Sequence, residues 1–252
     1  MPTDTTEVPR RRLGVLLWLA GMLGVVFITF TALPQMMRGV TLPAPLWVIS
    51  LASLAQSALL VALAVWAGVA LAPKVGLRAP AFEAAATARP FAPALALQLR
   101  PGLLAGVLAG LILFAVSRYA PAAILEIQER LNLPLFARVL YGGITEELLL
   151  RWGLMTAMVW LAWRFLQHRM GAPRATYIWL AIVASALLFG AGHLPAAAIL
   201  VGELTGAVVL FVVGVNTAFG VLFGYLFWRY GVEAAMIAHG TAHAMNYILN
   251  LI

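Results

Sequence analysis

Six acidic and basic side chains that are suited to proton transfer stand in otherwise apolar sequence. They are Glu146, Glu147, Arg151, His193, His239 and His243. Carboxylates and imidazoles commonly take a proton from water, and cationic groups donate hydrogen bonds to negative charge that develops in a reaction. The set therefore indicates general acid–base chemistry on a bound water molecule. A metal site built from the three histidines is the other chemistry that these residue types allow.

Helical spacing separates the two adjacent glutamates. Glu147 and Arg151 are four residues apart with the acid first, the order that favours an ion pair along a helix. Glu146 points about 100° away from Glu147 around the helix. One turn further on from Glu146 stands Leu150, which offers no charge. We therefore predict that Glu147 pairs with Arg151 and that Glu146 is the carboxylate left for chemistry.

The last helix of the chain carries a polar stripe of its own. His239 and His243 are four residues apart, and Asn246 follows at three residues, so all three share one face. Taken singly, a buried histidine can serve as an interhelical hydrogen bond, and a Glu–Arg pair can join two helices. Here three segments carry one acid–base set in a chain with few other charges inside its apolar runs. We interpret the set as one shared functional site.

The composition identifies an integral membrane protein. Hydrophobic residues make up 63% of the 252 residues, charged residues make up 10%, and the mean hydropathy is +0.98. A helix needs about 20 apolar residues to cross a bilayer, and the apolar runs here are long and continuous rather than alternating. A charged side chain within such a run costs about 2.5–3.5 kcal/mol and is typical of a functional site. The sequence predicts an all-α, polytopic membrane protein.

We predict about seven transmembrane helices and one interfacial amphipathic helix in a single membrane domain, 1–252. The predicted spans are 13–33, 46–71, 102–119, 140–163, 177–194, 206–228 and 232 to the C-terminus. The amphipathic helix lies within 121–138, where Glu126, Glu129 and Arg130 alternate with apolar residues. Residues 74–100 are predicted to be a loop, and 196–205 is not assigned. Gly102, Gly106 and Gly110 predict a face for close helix packing.

The net charge of +7 is best explained by basic loops on the cytoplasmic side of a membrane rather than by nucleic-acid binding. Arg10, Arg11 and Arg12 precede the first span, which predicts a cytoplasmic N-terminus. The first apolar run is too long for a cleavable signal peptide, and we expect a bacterial plasma membrane. The chain has no cysteine, and Ser50, Ser53, Ser57, Ser117 and Ser185 lack a nucleophile motif. Thiol and serine mechanisms are therefore not expected.

Three motifs in residues 140–252 together resemble a known family. Glu146-Glu147-x-x-x-Arg151 matches an EExxxR motif, and Phe189-x-x-x-His193 matches an FxxxH motif. The stretch 220–231, followed by the residues up to His239, resembles the helical hairpin that leads to the family's last histidine. This is the CPBP family, which comprises type II CAAX prenyl endopeptidases and bacterial relatives linked to bacteriocin processing and self-immunity. The resemblance implies an intramembrane endopeptidase without a metal or other cofactor, acting on a membrane-bound peptide or protein.

The resemblance also implies roles for individual residues. Glu146 and His193 would activate a water molecule, with Phe189 in the same motif as His193, and Glu147 and Arg151 would support the site. The family's last motif is HxxxN or HxxxD, which is thought to hold the oxyanion. His239 matches its first position, but His243 stands where Asn or Asp is usual. We assign the oxyanion role to His243, with Asn246 as the alternative.

Other functions remain open from the residues. A zinc protease would use His193, His239 and His243, although the HExxH motif is absent. A transporter would use intramembrane charges to move protons or ligands, although no inverted repeat is visible. A scaffold or bacteriocin-immunity partner would keep the fold without the activity. The oligomeric state is not predicted.

Overall fold

The computed structural model describes residues 8–131 and 133–252, without the side chains of residues 128–130. Every regular element in these ranges is helical, which confirms the all-α prediction. The predicted amphipathic helix corresponds to α5, Ala122–Arg130. The side chains of Glu129 and Arg130, on which part of that prediction rests, lie outside the described residues.

The helices follow one another with short connections. The first half contains α1 (Arg10–Met36), α2 (Leu46–Leu71), a 3₁₀ turn (Ala72–Val75), α3 (Pro80–Ala86), α4 (Phe91–Ser117) and α5. A continuous helical segment then runs through α6 (Leu135–Leu140), π1 (Tyr141–Glu146), π2 (Leu148–Met155), α7 (Thr156–Leu161) and π3 (Ala162–Leu166). The remainder contains α8 (Ala175–Gly192), α9 (Leu194–Val201), α10 (Gly206–Tyr230) and α11 (Val232–Leu249).

Five helical stretches in the described part of the chain are long and apolar enough to cross a membrane. They are Arg10–Met36, Leu46–Val75, Phe91–Ser117, Ala175–Val201 and Gly206–Tyr230. The other two predicted spans correspond to the segment from α6 to π3 and to α11. Both carry the polar site residues, and the first is interrupted by π-helical turns. The number seven therefore stays a prediction, while the membrane class is supported.

One predicted loop is wrong, and its prolines explain why. Residues 74–100 are not a loop, because they contain α3 and the first part of α4. Pro80 opens α3 and Pro90 caps α4, positions where the missing proline N–H costs no helical hydrogen bond. Pro195 likewise lies in the first turn of α9, which occupies most of the unassigned stretch 196–205. Helix α5, by contrast, lies within the range 121–138 predicted for the amphipathic helix.

Small residues set the close packing around α11. A side chain at Gly106 would place its Cβ atom 2.5 Å from Cβ of Thr241 and 2.6 Å from the carbonyl oxygen of Ala238. Gly102 and Gly110 make the same kind of approach to Ile237 and Met245, one turn to either side. The predicted glycine face therefore forms and packs α4 against α11. Because α11 carries two histidines, this contact helps to fix the site.

Helix α1 holds the helical segment that carries the glutamates. The hydroxyl of Thr145 donates a hydrogen bond of 2.7 Å to the carbonyl oxygen of Gly21. At Gly24 a Cβ atom would overlap the side chain of Thr145 and the carbonyl of Leu140. In π-helical turns the hydrogen bonds run between residues five apart, which changes the direction of the side chains relative to an α-helix. Glu146 and Glu147 thus lie in a segment with π-helical turns, and the contacts with α1 fix the position of this segment.

Candidate active site

Glu147 is the centre of a buried network that joins three helices. Its Oε1 atom accepts a hydrogen bond of 2.8 Å from Nδ1 of His239 on α11. The same oxygen lies 3.2 Å from Nη1 of Arg151, which confirms the predicted ion pair. Nη2 of Arg151 donates a hydrogen bond of 3.0 Å to the carbonyl of Gly220 on α10. The side chains of Glu147 and Arg151 are 0% and 1% exposed, so the pair is shielded from water.

Arg151 is held by charge and by aromatic faces as much as by hydrogen bonds. Nη1 approaches Glu147 without hydrogen-bond geometry, and Nε has no hydrogen-bond partner among the described residues. The guanidinium carbon lies 5.0 Å from the ring centroid of Phe189 and 5.7 Å from that of Phe223. Such cation–π contacts favour a cation that has lost its water. Phe189 therefore supports Arg151 as well as His193, which its ring contacts edge-on at 4.7 Å.

Glu146 lies between two imidazoles. Its Oε1 atom is 3.9 Å from Nε2 of His193, and its Oε2 atom is 3.9 Å from Nε2 of His239. These separations are too long for direct hydrogen bonds. Glu146 is 14% exposed and His193 is 35% exposed, in contrast to the enclosed Glu147. The two adjacent glutamates thus face different surroundings, as helical spacing predicts.

The hydrogen bonds of the two histidines fix which ring nitrogen faces Glu146. Nδ1 of His193 lies 2.9 Å from the carbonyl oxygen of Phe189, and a carbonyl can only accept. Nδ1 must therefore carry the proton, and the neutral ring presents the lone pair of Nε2 to Glu146. Nδ1 of His239 is engaged with the Glu147 carboxylate in the same way. With Nδ1 bound to Glu147, Nε2 is the ring nitrogen of His239 that faces Glu146.

His239 is enclosed between two flat groups. The ring of Phe223 stacks on it with centroids 4.5 Å apart and planes 20° apart. His243 stacks on it with centroids 4.9 Å apart and planes 25° apart. Stacking on both sides and the bond to Glu147 leave the ring little freedom to turn. The orientation of Nε2 is therefore set before any substrate binds.

Gly142 gives the two stacked histidines their space. A Cβ atom on this residue would lie 2.6 Å from Nε2 of His243 and 3.2 Å from Nε2 of His239. Both nitrogens therefore point to the backbone one turn before Glu146. Asn246, the alternative to His243, instead accepts a hydrogen bond of 3.3 Å from Nδ2 of Asn250 through its own Oδ1 atom. This placement favours His243 over Asn246 for a role beside His239.

Sequence reasoning missed three contributors to the site, namely Gly142, Gly220 and Phe223. Gly220 was visible only as a candidate for helix packing, yet its carbonyl binds Arg151 and a Cβ atom there would lie 2.8 Å from Ala186. The Gly142-Gly143 pair, which two residues separate from Glu146, was a signal for close backbone approach. Phe223 had no signal in the sequence, because apolar residues surround it on both sides.

The histidines of the alternative zinc site do not form a recognisable ligand set. Within residues 8–131 and 133–252, no group of three or more His, Asp or Glu side chains is placed to hold a metal ion. His193 and His239 face Glu146, while His243 faces Gly142. The zinc alternative stays a prediction for experiment.

Comparison with known proteins identifies one family. Residues 129–245 match the sequence model described as type II CAAX prenyl endopeptidase Rce1-like. No curated protein matches the chain, and no solved structure does. The matched range includes every predicted site residue except Asn246. It also agrees with the resemblance to the CPBP family that the three motifs indicate. Residues 129–245 are therefore similar to the Rce1-like domain of type II CAAX prenyl endopeptidases, which is consistent with the CPBP family.

Proposed function

We propose that this protein is an intramembrane endopeptidase that hydrolyses membrane-associated peptides with a water molecule activated by Glu146 and His193. The observation that carries the proposal is the position of Glu146. Its two carboxylate oxygens face Nε2 atoms of His193 and His239, each at 3.9 Å. Glu147, by contrast, is buried, and its Oε1 atom is bound to His239 and Arg151. The family match supports the class of reaction.

The first step is removal of a proton from water. A water molecule can bridge polar groups whose separation exceeds a direct hydrogen bond. Held between Glu146 and His193, the water donates one hydrogen bond to the carboxylate and a second to the lone pair of Nε2. Glu146 takes the proton as the water oxygen attacks the peptide carbonyl carbon. Proton transfer by a positioned group of this kind contributes about 10²–10⁴-fold to a rate.

The second step stabilises the negative charge on the former carbonyl oxygen. Preorganised donors that face this oxygen lower the barrier more than donors that must reorient. His239 would fill this role by donating from Nε2, with its ring held by the contact of 2.8 Å between Nδ1 and Oε1 of Glu147. His243 lies beside it with Nε2 near the same glycine. We therefore assign both histidines of the last motif to the oxyanion.

The third step completes the proton balance. The tetrahedral intermediate collapses, the carbon–nitrogen bond breaks, and the proton held by Glu146 passes to the leaving amine. The products are a new carboxyl terminus and a new amino terminus, and Glu146 returns to the carboxylate. No cofactor takes part in this scheme. Glu147 and Arg151 act as positioning residues, because they contact His239 and α10 rather than the reacting atoms.

The test is cleavage of a library of membrane-anchored peptides by purified protein. Wild type is compared with Glu146→Gln, with Glu203→Gln as the matched control, and with wild type in chelator. Glu203 is an exposed glutamate in the turn before α10, so its loss removes one charge outside the site. We expect cleavage by wild type and Glu203→Gln, no cleavage by Glu146→Gln, and no effect of chelator.

Each rival function predicts another result. If a chelator abolishes cleavage, His193, His239 and His243 would be assigned as ligands of a zinc ion. A folded wild-type protein that cleaves nothing in the library would favour the scaffold or immunity partner. Proton-coupled uptake into vesicles that Glu146→Gln abolishes, without any cleavage, would favour the transporter.

A further inference from the structure

A cavity of about 550 Å³ lies between α1, α3, α4, α11 and the beginning of the α6–π3 segment. Its wall is almost wholly apolar and includes Leu16 of α1, Phe82 of α3, Leu95 of α4 and Ile237 of α11. Cavities of about 300–1,000 Å³ with apolar walls and a few polar groups are typical of small-molecule sites. The proposed function does not use this cavity.

The cavity is separate from the proposed catalytic groups. Met236, Ile237, Gly240 and Ala244 line it from α11. Successive residues of a helix are about 100° apart, so this face differs from the one that carries His239 and His243. Gly240 lines the cavity and packs closely against Gly143, whereas none of the proposed catalytic side chains lines it. A molecule in the cavity would therefore touch the back of both helices without reaching Glu146.

One polar group stands in this apolar wall. Glu233, in the first turn of α11, lines the cavity and is only 3% exposed. Its Oε1 atom accepts hydrogen bonds of 2.8 Å and 2.9 Å from the backbone N–H groups of Ala81 and Phe82. Its Oε2 atom is buried and has no hydrogen-bond partner among the residues that the structure describes. A buried polar atom without a partner is costly, which makes a bound donor favourable.

The charges around Glu233 decide what kind of donor fits. Glu83 follows Phe82 directly in the chain, and its carboxylate binds the guanidinium of Arg78 at 2.6 Å. Glu83 itself caps the start of α3 by accepting from the N–H of Ala79. Glu83 therefore adds a second carboxylate on the α3 side of Glu233, and the cation that Glu83 binds is Arg78. An anionic head group would be repelled there, whereas a hydroxyl or an amine can donate to Oε2.

A route into the cavity from the bilayer would pass between α1 and α4. α1 and α4 both contribute to the wall, but their backbones do not pack closely against one another. Phe91, on the α4 side of this gap, is 51% exposed. An apolar chain in the membrane can pass between the two helices without leaving an apolar environment.

We propose that this cavity binds a single-chain amphiphile from the bilayer, with its chain against α4 and α11 and a hydroxyl or amine head at Glu233. The shared chemistry is a hydrogen-bond donor on one long apolar chain. Both a fatty alcohol and a fatty amine meet it, and a fatty acid does not.

The experiment measures saturable binding of radiolabelled hexadecylamine, hexadecanol and hexadecanoic acid to the full chain in detergent. Four proteins are compared: wild type, Glu233→Gln, Ala244→Phe and Ala218→Phe. Ala244→Phe fills the cavity, and Ala218→Phe is the control because it fills a separate groove between α4 and α10. Thermal unfolding of each variant shows whether it is folded.

We expect wild type and Ala218→Phe to bind the amine, the alcohol or both at least tenfold more tightly than the acid. Ala244→Phe should bind the amine and the alcohol at least tenfold more weakly than wild type does. Glu233→Gln should no longer bind the amine or the alcohol more tightly than hexadecanoic acid. The absence of saturable binding to wild type would overturn the proposal. So would equal binding of all three probes, or full binding by Ala244→Phe. Binding is read without peptide cleavage, so its outcome does not depend on the proposed protease function.

Discussion

The Oε1 atom of Glu147 lies between His239 and Arg151, at 2.8 Å from Nδ1 of the histidine and 3.2 Å from Nη1 of the arginine. Its neighbour Glu146 has no such enclosure and faces two Nε2 atoms at 3.9 Å. Substitution of Glu146 and substitution of Glu147 are therefore expected to have different effects on activity and on stability.

The amide variants of the two glutamates separate chemistry from structure. Glu146→Gln should lower kcat by about 10²–10⁴-fold, because it removes the proposed base, and it should leave the unfolding temperature nearly unchanged. Glu147→Gln should lower both, since breaking a buried ion pair leaves Arg151 uncompensated and costs about 3–5 kcal/mol. Peptide cleavage and thermal unfolding in detergent measure the two effects. Equal loss of stability in both variants would contradict the division of roles.

Gly142→Ala should inactivate the enzyme with a small effect on folding. The added Cβ atom would lie 2.6 Å from Nε2 of His243 and 3.2 Å from Nε2 of His239, so both rings must move. We expect a loss of activity of at least tenfold. Gly214→Ala is the control, because a Cβ atom on that helical glycine meets nothing within 4 Å. If Gly142→Ala cleaves as fast as Gly214→Ala, the histidines do not need the positions described.

His243 and Asn246 can be distinguished by three substitutions. His243→Ala should lower kcat by about 10²–10³-fold, the usual effect of removing one oxyanion donor. His243→Asn restores the residue type that the CPBP motif usually has, and it should retain more activity than His243→Ala. Asn246→Ala should be close to wild type, since its side chain binds Asn250. The reverse order, with Asn246→Ala the weakest, would assign the oxyanion to Asn246.

The contact between α4 and α11 should be intolerant of a single added methyl group. Gly106→Ala would bring its Cβ atom to 2.5 Å from Cβ of Thr241 and 2.6 Å from the Ala238 carbonyl. Overpacking of this kind costs about 1–3 kcal/mol. Gly14→Ala is the matched control on α1, where the nearest atom is a Val65 methyl at 3.9 Å. The unfolding temperature should fall clearly in Gly106→Ala and should change little in Gly14→Ala.

The sequence predicts this site well where periodicity is decisive. The Glu147–Arg151 pair, the separate direction of Glu146 and the shared face of His239 and His243 all follow from helical spacing. The glycine face of α4 follows from its four-residue repeat. Contacts across helices do not follow in this way: neither the hydrogen bond from His239 to Glu147 nor the stacking of Phe223 on His239 has a local signal. These contacts depend on the distances between the packed helices. Small residues such as Gly142 and Gly220 set those distances.

The bond from Thr145 to the carbonyl of Gly21 ties the motif-bearing half of the chain to a helix that has no motif. Gly24 extends this close contact, or seam, between α1 and the glutamate-bearing segment. Gly102, Gly106 and Gly110 of α4 form a second seam along α11. Helices α1 and α4 of the first half therefore position the segments of the second half that carry the site residues. Their contribution is close packing and not side chains that take part in the proposed reaction. The apolar side chains of α1 and α4 can be exchanged widely as long as the seams stay narrow. The family match covers residues 129–245, in the half that carries the motifs. A fragment that keeps every catalytic side chain but lacks α1 and α4 would lose the surfaces that hold them in register.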